Sequence, residues 1–276
     1  MIPAQFWSPE RTARIEPAAF VNHFLTPRGL DAAGVGLRPT VLVPLIPTLE
    51  RRLLRVLGEP TPVVSVQHQA LYHPAGYAFS MIASPMGAPM AVMLLEQLIA
   101  LGARRLLYLG FCGALAPTYR IGDVFLPTHA IREEGTSYHY APADVVPCAS
   151  PDLQARLYAQ AVRLRVTAQR GPIWTTDAPY RETAAKIRQW QDAGVHAVDM
   201  EMAALFAVAH YRHCELGALL LVSDECYHPT WKPGFSSPRL RQACDQAIAI
   251  AMAAAHIDSA ASRLPLGEGS GEGHNR

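Results

Sequence analysis

Residues Gly194 to Asp224 read G-V-H-A-V-D-M-E-M-A-A-L-F-A-V-A-H-Y-R-H-C-E-L-G-A-L-L-L-V-S-D, and the way this stretch divides decides the fold. Val195, Ala197 and Val198 form a short β-like run that gives way, at Asp199 and Glu201, to a helix. Ala203, Ala204, Leu205, Val208 and Ala209 of that helix read as buried on nearly every face. Two acids thus enter apolar company, where an unpaired carboxylate costs several kcal/mol. They are either held for a ligand or spent on the helix itself, Asp199 as its cap and Glu201 as a favourable first-turn charge. The residues alone leave both readings open. Beyond the helix, Gly217 to Val222 reads as a buried strand ending in Ser223-Asp224, and strand ends are where open α/β sheets bind ligands.

A chain of 276 residues has ample length for a core and reads as one main domain. Its net charge of +1, with no Lys/Arg run interleaved with aromatics, argues against a nucleic-acid partner. No apolar signal core opens the sequence, and no stretch approaches the roughly 18 charge-free apolar residues of a membrane span. A cytoplasmic protein with no membrane partner is expected. The five cysteines, Cys112, Cys148, Cys214, Cys226 and Cys244, never form a C-x-x-C pair, which fits free thiols in a reducing compartment. The eleven histidines show no H-E-x-x-H spacing, and His210 and His213 read as a surface pair, so no metal is expected.

Around the central stretch, residues 1–38 are rich in Pro, Arg and Ala and read as a leader strapped onto a domain spanning 39–262. Thr40 to Ile46 is an apolar strand, after which Thr48 can cap a helix from Leu49 to Leu57. Val63 to Val66 and Tyr77 to Ala83 read as a strand pair joined through Pro74-Ala75-Gly76. Ser84-Pro85-Met86-Gly87-Ala88-Pro89, a helix to Leu101 and a strand from Arg105 to Leu109 complete a βαβ pattern. That strand runs into Gly110-Phe111-Cys112-Gly113-Ala114-Leu115, where two glycines let the backbone bend closely past a ligand or another chain. Ile131 to Tyr140 (I-R-E-E-G-T-S-Y-H-Y) is too polar and irregular for core. A helix from Pro151 to Arg165 and a strand to Trp174 lead to the loop Thr175 to Thr183, which carries Tyr180 and Arg181, and then to a helix from Ala184 to Ala193. Glu225 to Ser237 reads as an ordered or lid-like loop, Pro238 to about Ile257 as a final helix, and residues 263–276 as a disordered tail.

In this order, four motifs make the chain resemble the nucleoside phosphorylase and nucleosidase superfamily, over about residues 40 to 257. They are S-P-M-G-A-P with its helix (84 to 101), G-F-C-G-A-L with the later G-D-V (110 to 124), V-D-M-E-M-A-A-L (198 to 205) and V-S-D (222 to 224). The resemblance implies an α/β fold with a mixed, twisted central sheet flanked by helices, assembled as a homo-oligomer. It implies a pentosyltransferase that cleaves the N-glycosidic bond of a purine or pyrimidine nucleoside, needing no cofactor but taking phosphate as co-substrate. Such a cleavage builds positive charge on the ribose and negative charge on the departing base, and both must be stabilised. By the same resemblance Glu201 accepts hydrogen bonds from the ribose hydroxyls and Met200 packs on the sugar. Asp224, beside Ser223, protonates or hydrogen-bonds the base, and Tyr180 flanks it. His23 matches a sugar-binding histidine that relatives borrow from a neighbouring subunit. The run from Ala130 to Pro142 looks most like uridine phosphorylases, whereas Ser223-Asp224 looks like the purine-specific members.

The phosphate cradle departs from the family pattern. A G-D-P-x-R loop after the first strand is replaced by Leu45, Ile46, Pro47, Thr48 and Leu49, and R-x-G-[ST] by Tyr108-Leu109-Gly110-Phe111. Where a third arginine would fall, near Val66 to His68, stands Gln67. Anion sites rely on cations or convergent donors. The donors left are the backbone of Gly87 and of Gly110, Cys112 and Gly113, with Arg132 or Arg181 as substitute cations. The nucleosidase branch instead activates water with a glutamate soon after the first strand, and Glu50 lies near that position by residue count. Glu50 also opens E-R-R, which favours reading it as an ion-paired surface residue of the helix. Hydrolysis, or a nucleoside-binding protein that has kept the fold without the reaction, are the alternatives to phosphorolysis.

Overall fold

The computed structural model describes residues 6–256. In chain order its elements are α1 (Pro17–Leu25), α2 (Ala32–Val35), β1 (Thr40–Pro44), α3 (Pro47–Val56), β2 (Pro62–Val66), β3 (Gln69–Tyr72), β4 (Phe79–Ile82), α4 (Ala88–Ala100), β5 (Arg105–Ala114) and β6 (Val124–Glu133). There follow α5 (Pro151–Arg163), β7 (Ala168–Thr176), α6 (Ala184–Asp192), β8 (Ala197–Asp199), α7 (Met202–Tyr211), β9 (Glu215–Glu225), β10 (Lys232–Pro233) and α8 (Pro238–Ala255). The tail expected over 263–276 lies outside the described residues.

The strands form one mixed sheet in the order β10-β9-β6-β7-β8-β5-β1-β4-β3-β2. Because β9 also pairs with β5, the five strands β9, β6, β7, β8 and β5 close into a ring. The unbroken apolar runs of β5 and β9 suit strands buried on both faces. Their residues divide by alternation: Leu106 and Tyr108 of β5 join one core layer, Leu107 and Leu109 the other. Helices α4 and α7 pack together in the first layer, and α5 and α8 cover the second. Helix α7 is apolar all round and buried from Met202 to Ala209, as its sequence requires. In the leader, α1 buries Val21 and Leu25 and packs on α4.

Several elements differ from the sequence reading. Strand β5 does not turn at Gly110 but runs on to Ala114. Its glycines serve close packing inside the sheet: a Cβ on Gly113 would lie 2.7 Å from Cys226 Sγ, 3.0 Å from Val198 Cγ1 and 3.2 Å from Asp224 Oδ2. The strand pair is a three-strand meander, because Gln67 and His68, both with positive φ, turn β2 directly into β3. Thr48 is not a cap, since Pro47 opens α3 after Ile46. The run from Ile131 is not excluded from the core: it extends β6, and Ser137 and Tyr138 are buried. Arg132 makes that burial tolerable by donating to Ser137 Oγ and to the carbonyls of Ala141, Pro142 and Val145.

One irregularity positions chemistry. The β5–β9 ladder pairs Cys112 with Val222 and Gly113 with Asp224, so Ser223 is the extra residue of a bulge at the strand end. Gly113 packs against this bulged end with no space for a side chain. Gly113→Ala should therefore lower stability by about 1–3 kcal/mol through overpacking alone. Thermal or urea unfolding checks this, and an unchanged midpoint would contradict the packing described.

Candidate active site

A cavity of about 1110 Å³ opens where the ends of β5 and β9 meet the β8–α7 junction. Phe111, Cys112 and Gly113 come from β5, Ser223 and Asp224 from β9, and Val198 to Glu201 from the junction. Further walls come from the segment Pro179 to Gln191 and from Tyr227, His228, Trp231 and Phe235.

On the cavity wall lies Glu201, 6% exposed. Its Oε1 accepts the Gly87 N–H at 2.7 Å. Gly87 stands at the start of α4 with φ of +90°, a conformation that a side chain would strain, so its N–H reaches the acid at little conformational cost. Burial first, and the neighbouring Asp199 second, push the Glu201 carboxyl well above the usual range. Asp199 is raised by burial too, but it is hydrogen-bonded throughout. Its Oδ1 accepts the Thr175 hydroxyl at 2.6 Å, and its Oδ2 accepts the backbone N–H of Glu201 at 3.0 Å and of Met202 at 2.7 Å. Of the two readings open in the sequence, Asp199 takes that of a cap: it lines the cavity while organising the start of α7. Met200 is half-buried on the wall beside Glu201.

Asp224, half-buried, lines the same cavity. Its Oδ1 accepts the Ser223 hydroxyl at 2.6 Å. Its Oδ2 accepts the Cys226 thiol at 3.2 Å and the Trp231 indole N–H at 2.8 Å. Burial, reinforced by Asp224, pushes the Cys226 thiol far up, so it keeps its proton as a donor. Glu182, which the sequence reading missed, lies near these groups, with the Cys226 thiol 4.0 Å from its Oε2. Burial, then the charges of Asp224, Glu133 and Asp199, push its carboxyl up to about 7, with Lys186 opposing. A lone acid in a polar loop gives no periodic signal; only its position two residues past Tyr180 hints at it.

The remaining expected residues divide. Tyr180 is no core residue: it lies at the cavity rim and is 99% exposed. Cys112 and Gly113 are on the wall, but Gly110 is behind it, facing Leu45 and Leu220. Arg181 is exposed off the wall, and Arg132 is engaged in its own loop, so neither supplies the missing cation. Among the described residues, the arginine on the wall is Arg188 of α6. Glu50 is also off the wall, because the chain turns into α3 at Pro47 and presents Leu45 and Ile46 instead. Burial raises the Glu50 carboxyl against the opposing charge of Arg51. Among the described residues no cluster of three or more His, Cys, Asp or Glu could hold a metal, and no helix is long and apolar enough to cross a membrane.

A family model described as the phosphorylase superfamily matches residues 41–256. A guanosine phosphorylase of Halorubrum lacusprofundi is 31% identical over 147 residues, covering 53% of this chain and 61% of that protein. A uridine phosphorylase of Haemophilus influenzae is 26% identical over 183 residues, covering 60% of this chain and 73% of that protein. A purine nucleoside phosphorylase of the DeoD type from Caldanaerobacter subterraneus subsp. tengcongensis is 30% identical over 151 residues, covering 54% of this chain and 65% of its own. The match thus spans less than two thirds of the first and third of these relatives. The crystal structure of purine nucleoside phosphorylase from Toxoplasma gondii in complex with immucillin-H superposes with a TM-score of 0.74, covering 89% of this chain and 97% of that one. At 18% identity, that likeness shows the fold alone.

The Glu182 environment has a measurable consequence. With a folded pKa of about 7 against an ordinary glutamate value of 4.5, Glu182 binds more protons in the folded than in the unfolded state across that window. Its contribution to stability is therefore present at low pH and lost as pH rises through about 7. Glu182→Gln should lose less Tm than the parent chain between pH 5 and pH 7.5, as read by thermal unfolding at the two pH values. Equal losses would contradict the assignment.

Proposed function

The chain belongs to the phosphorylase superfamily, whose model covers well over half of it, and on that premise we propose that it cleaves the N-glycosidic bond of a purine nucleoside with phosphate as acceptor. The observation that carries the proposal is the pair of acids lining one cavity, the buried Glu201 tied to Gly87 and the half-buried Asp224 held at the β9 bulge. Glu201 keeps acceptor capacity for ribose hydroxyls and favours the positive charge that develops on the sugar. Asp224 meets the departing base, whose leaving electrons call for a hydrogen bond or a proton. Tyr180, Trp231 and Phe235 offer exposed aromatic surface for the base. A purine is favoured over a pyrimidine because Ser223-Asp224 resembles the pattern of the purine-specific members of the family, and two of the three relatives described above act, by name, on guanosine or purine nucleosides.

The wall around the sugar end favours a second reading. Leu45, Ile46, Met86 and Phe111 line it, and they give a phosphate dianion no cation to pair with. Water as the acceptor needs none, which makes the chain a nucleosidase in this version. We further infer a cytoplasmic protein that assembles as a homo-oligomer; the exposed Phe20 and Phe24 of α1, which packs on α4 with its exposed Met90 and Met93, support the assembly.

Base release from a panel of purine and pyrimidine nucleosides, with and without phosphate, tests both versions. Phosphate-dependent release with ribose 1-phosphate is expected; free ribose without phosphate moves the reaction to hydrolysis, and no release from any nucleoside refutes the proposal. In the active chain, Glu201→Gln should lower kcat/KM roughly a hundredfold or more, the scale seen when a transition-state electrostatic partner is lost.

A further inference from the structure

Asp224 is held by residues that come after it as well as before. Three donors reach its carboxylate: the Ser223 hydroxyl on Oδ1, and the Cys226 thiol and Trp231 indole N–H on Oδ2. A carboxylate offers about two acceptor positions per oxygen. Oδ2 is therefore full, while Oδ1 retains one.

Trp231 is not a casual neighbour. Immediately after it, β10 pairs antiparallel with β9, setting Lys232 opposite Glu225 and Pro233 opposite Asp224 itself. The Gly234 N–H donates to the Ser223 carbonyl at 2.8 Å, and Lys232 Nζ reaches Glu225 Oε2 at 3.0 Å. Glu225 also accepts from Tyr227 at 2.9 Å and from His228 at 2.8 Å, so the segment is pinned on both sides of the indole. The ring is nevertheless 57% exposed, and it lines the cavity with Phe235, the ring centroids 6.1 Å apart. A large aromatic so firmly anchored yet so little covered is not there for the core.

We propose that Trp231 is a positioning residue for Asp224: its N–H, together with the Cys226 thiol, occupies Oδ2, so that the carboxylate meets the nucleobase through Oδ1. The indole thereby fixes the rotation of the Asp224 carboxylate and forms an aromatic wall beside it. The base meets one oriented carboxyl oxygen, Oδ1, and a partner that turns freely would lose the geometry on which a hydrogen bond or proton transfer to the departing base depends. This rests on the proposal that Asp224 contacts the base, and it adds how that contact is aimed.

Trp231→Phe keeps an aromatic wall, though a smaller one, and removes the N–H. In steady-state kinetics on the full chain, with a purine nucleoside that the parent cleaves, kcat should fall roughly tenfold while KM changes by less than about threefold, because orientation is lost and the apolar contact is not. A parent-like kcat overturns the proposal and leaves nucleoside cleavage standing. Calorimetric titration gives a readout independent of turnover. Hypoxanthine or adenine should bind Trp231→Phe several-fold more weakly than the parent, whereas ribose 1-phosphate should bind both alike. Equal affinities for the base, an equal loss for the sugar phosphate, or a parent that binds no base would each overturn it. Failure of the parent to cleave any nucleoside would refute the proposed reaction instead, and the base titration would still decide the role of Trp231.

Discussion

Everything at this site depends on burying two carboxylates where β8 gives way to α7. Asp199 and Glu201 lie in an apolar layer, and each unpaired charge there would cost several kcal/mol. The fold meets this cost with helix starts. Helix α7 begins at Glu201 with its first amides given to Asp199, and α4 begins at Gly87 with its amide given to Glu201. Two positive helix ends thus converge on the acid pair. Thr175 of β7 completes the arrangement, donating to Asp199 and accepting the Ala203 N–H at 3.0 Å, which ties the closed strand ring to the same point. The closure of β9, β6, β7, β8 and β5 is therefore also what holds the acid of the site in register with the rest.

The parts of this arrangement that an apolar pattern can carry were legible in the sequence. Helix α7 and strand β9 announce themselves because they are buried on all sides, and the two acids stand out against them. What escaped was geometry without a pattern. Gly110 and Gly113 look like a turn, whereas glycines can also permit close packing inside a strand, and nothing local distinguishes the two. The Gln67-His68 turn lacks the Gly or Asn that usually marks positive φ. Glu50 was favoured by residue count along the chain, but the helix that starts at Pro47 takes it off the wall. Glu182 and Trp231 reach the site from loops, through single contacts to Cys226 and Asp224, and no spacing rule encodes such contacts.

The same acids that suit the proposed reaction make its second substrate difficult. Positive charge developing on a sugar gains from Glu201 close by, and unit charges about 4 Å apart interact by roughly 4 kcal/mol at an effective dielectric constant of 20. A phosphate dianion entering the same space feels that field with the opposite sign, and Leu45, Ile46 and Phe111 give it nothing in return. One property of the site softens the conflict. Burial raises the Glu201 carboxyl, so the resting site holds less negative charge than a count of its acids suggests, and an anion can approach before the acid is needed in its charged form. Water avoids the conflict altogether. The choice of acceptor in the proposed reaction therefore turns on the protonation of one buried glutamate as much as on the missing arginines, and that protonation is set by burial and by Asp199, against the opposing hydrogen bond from the Gly87 amide.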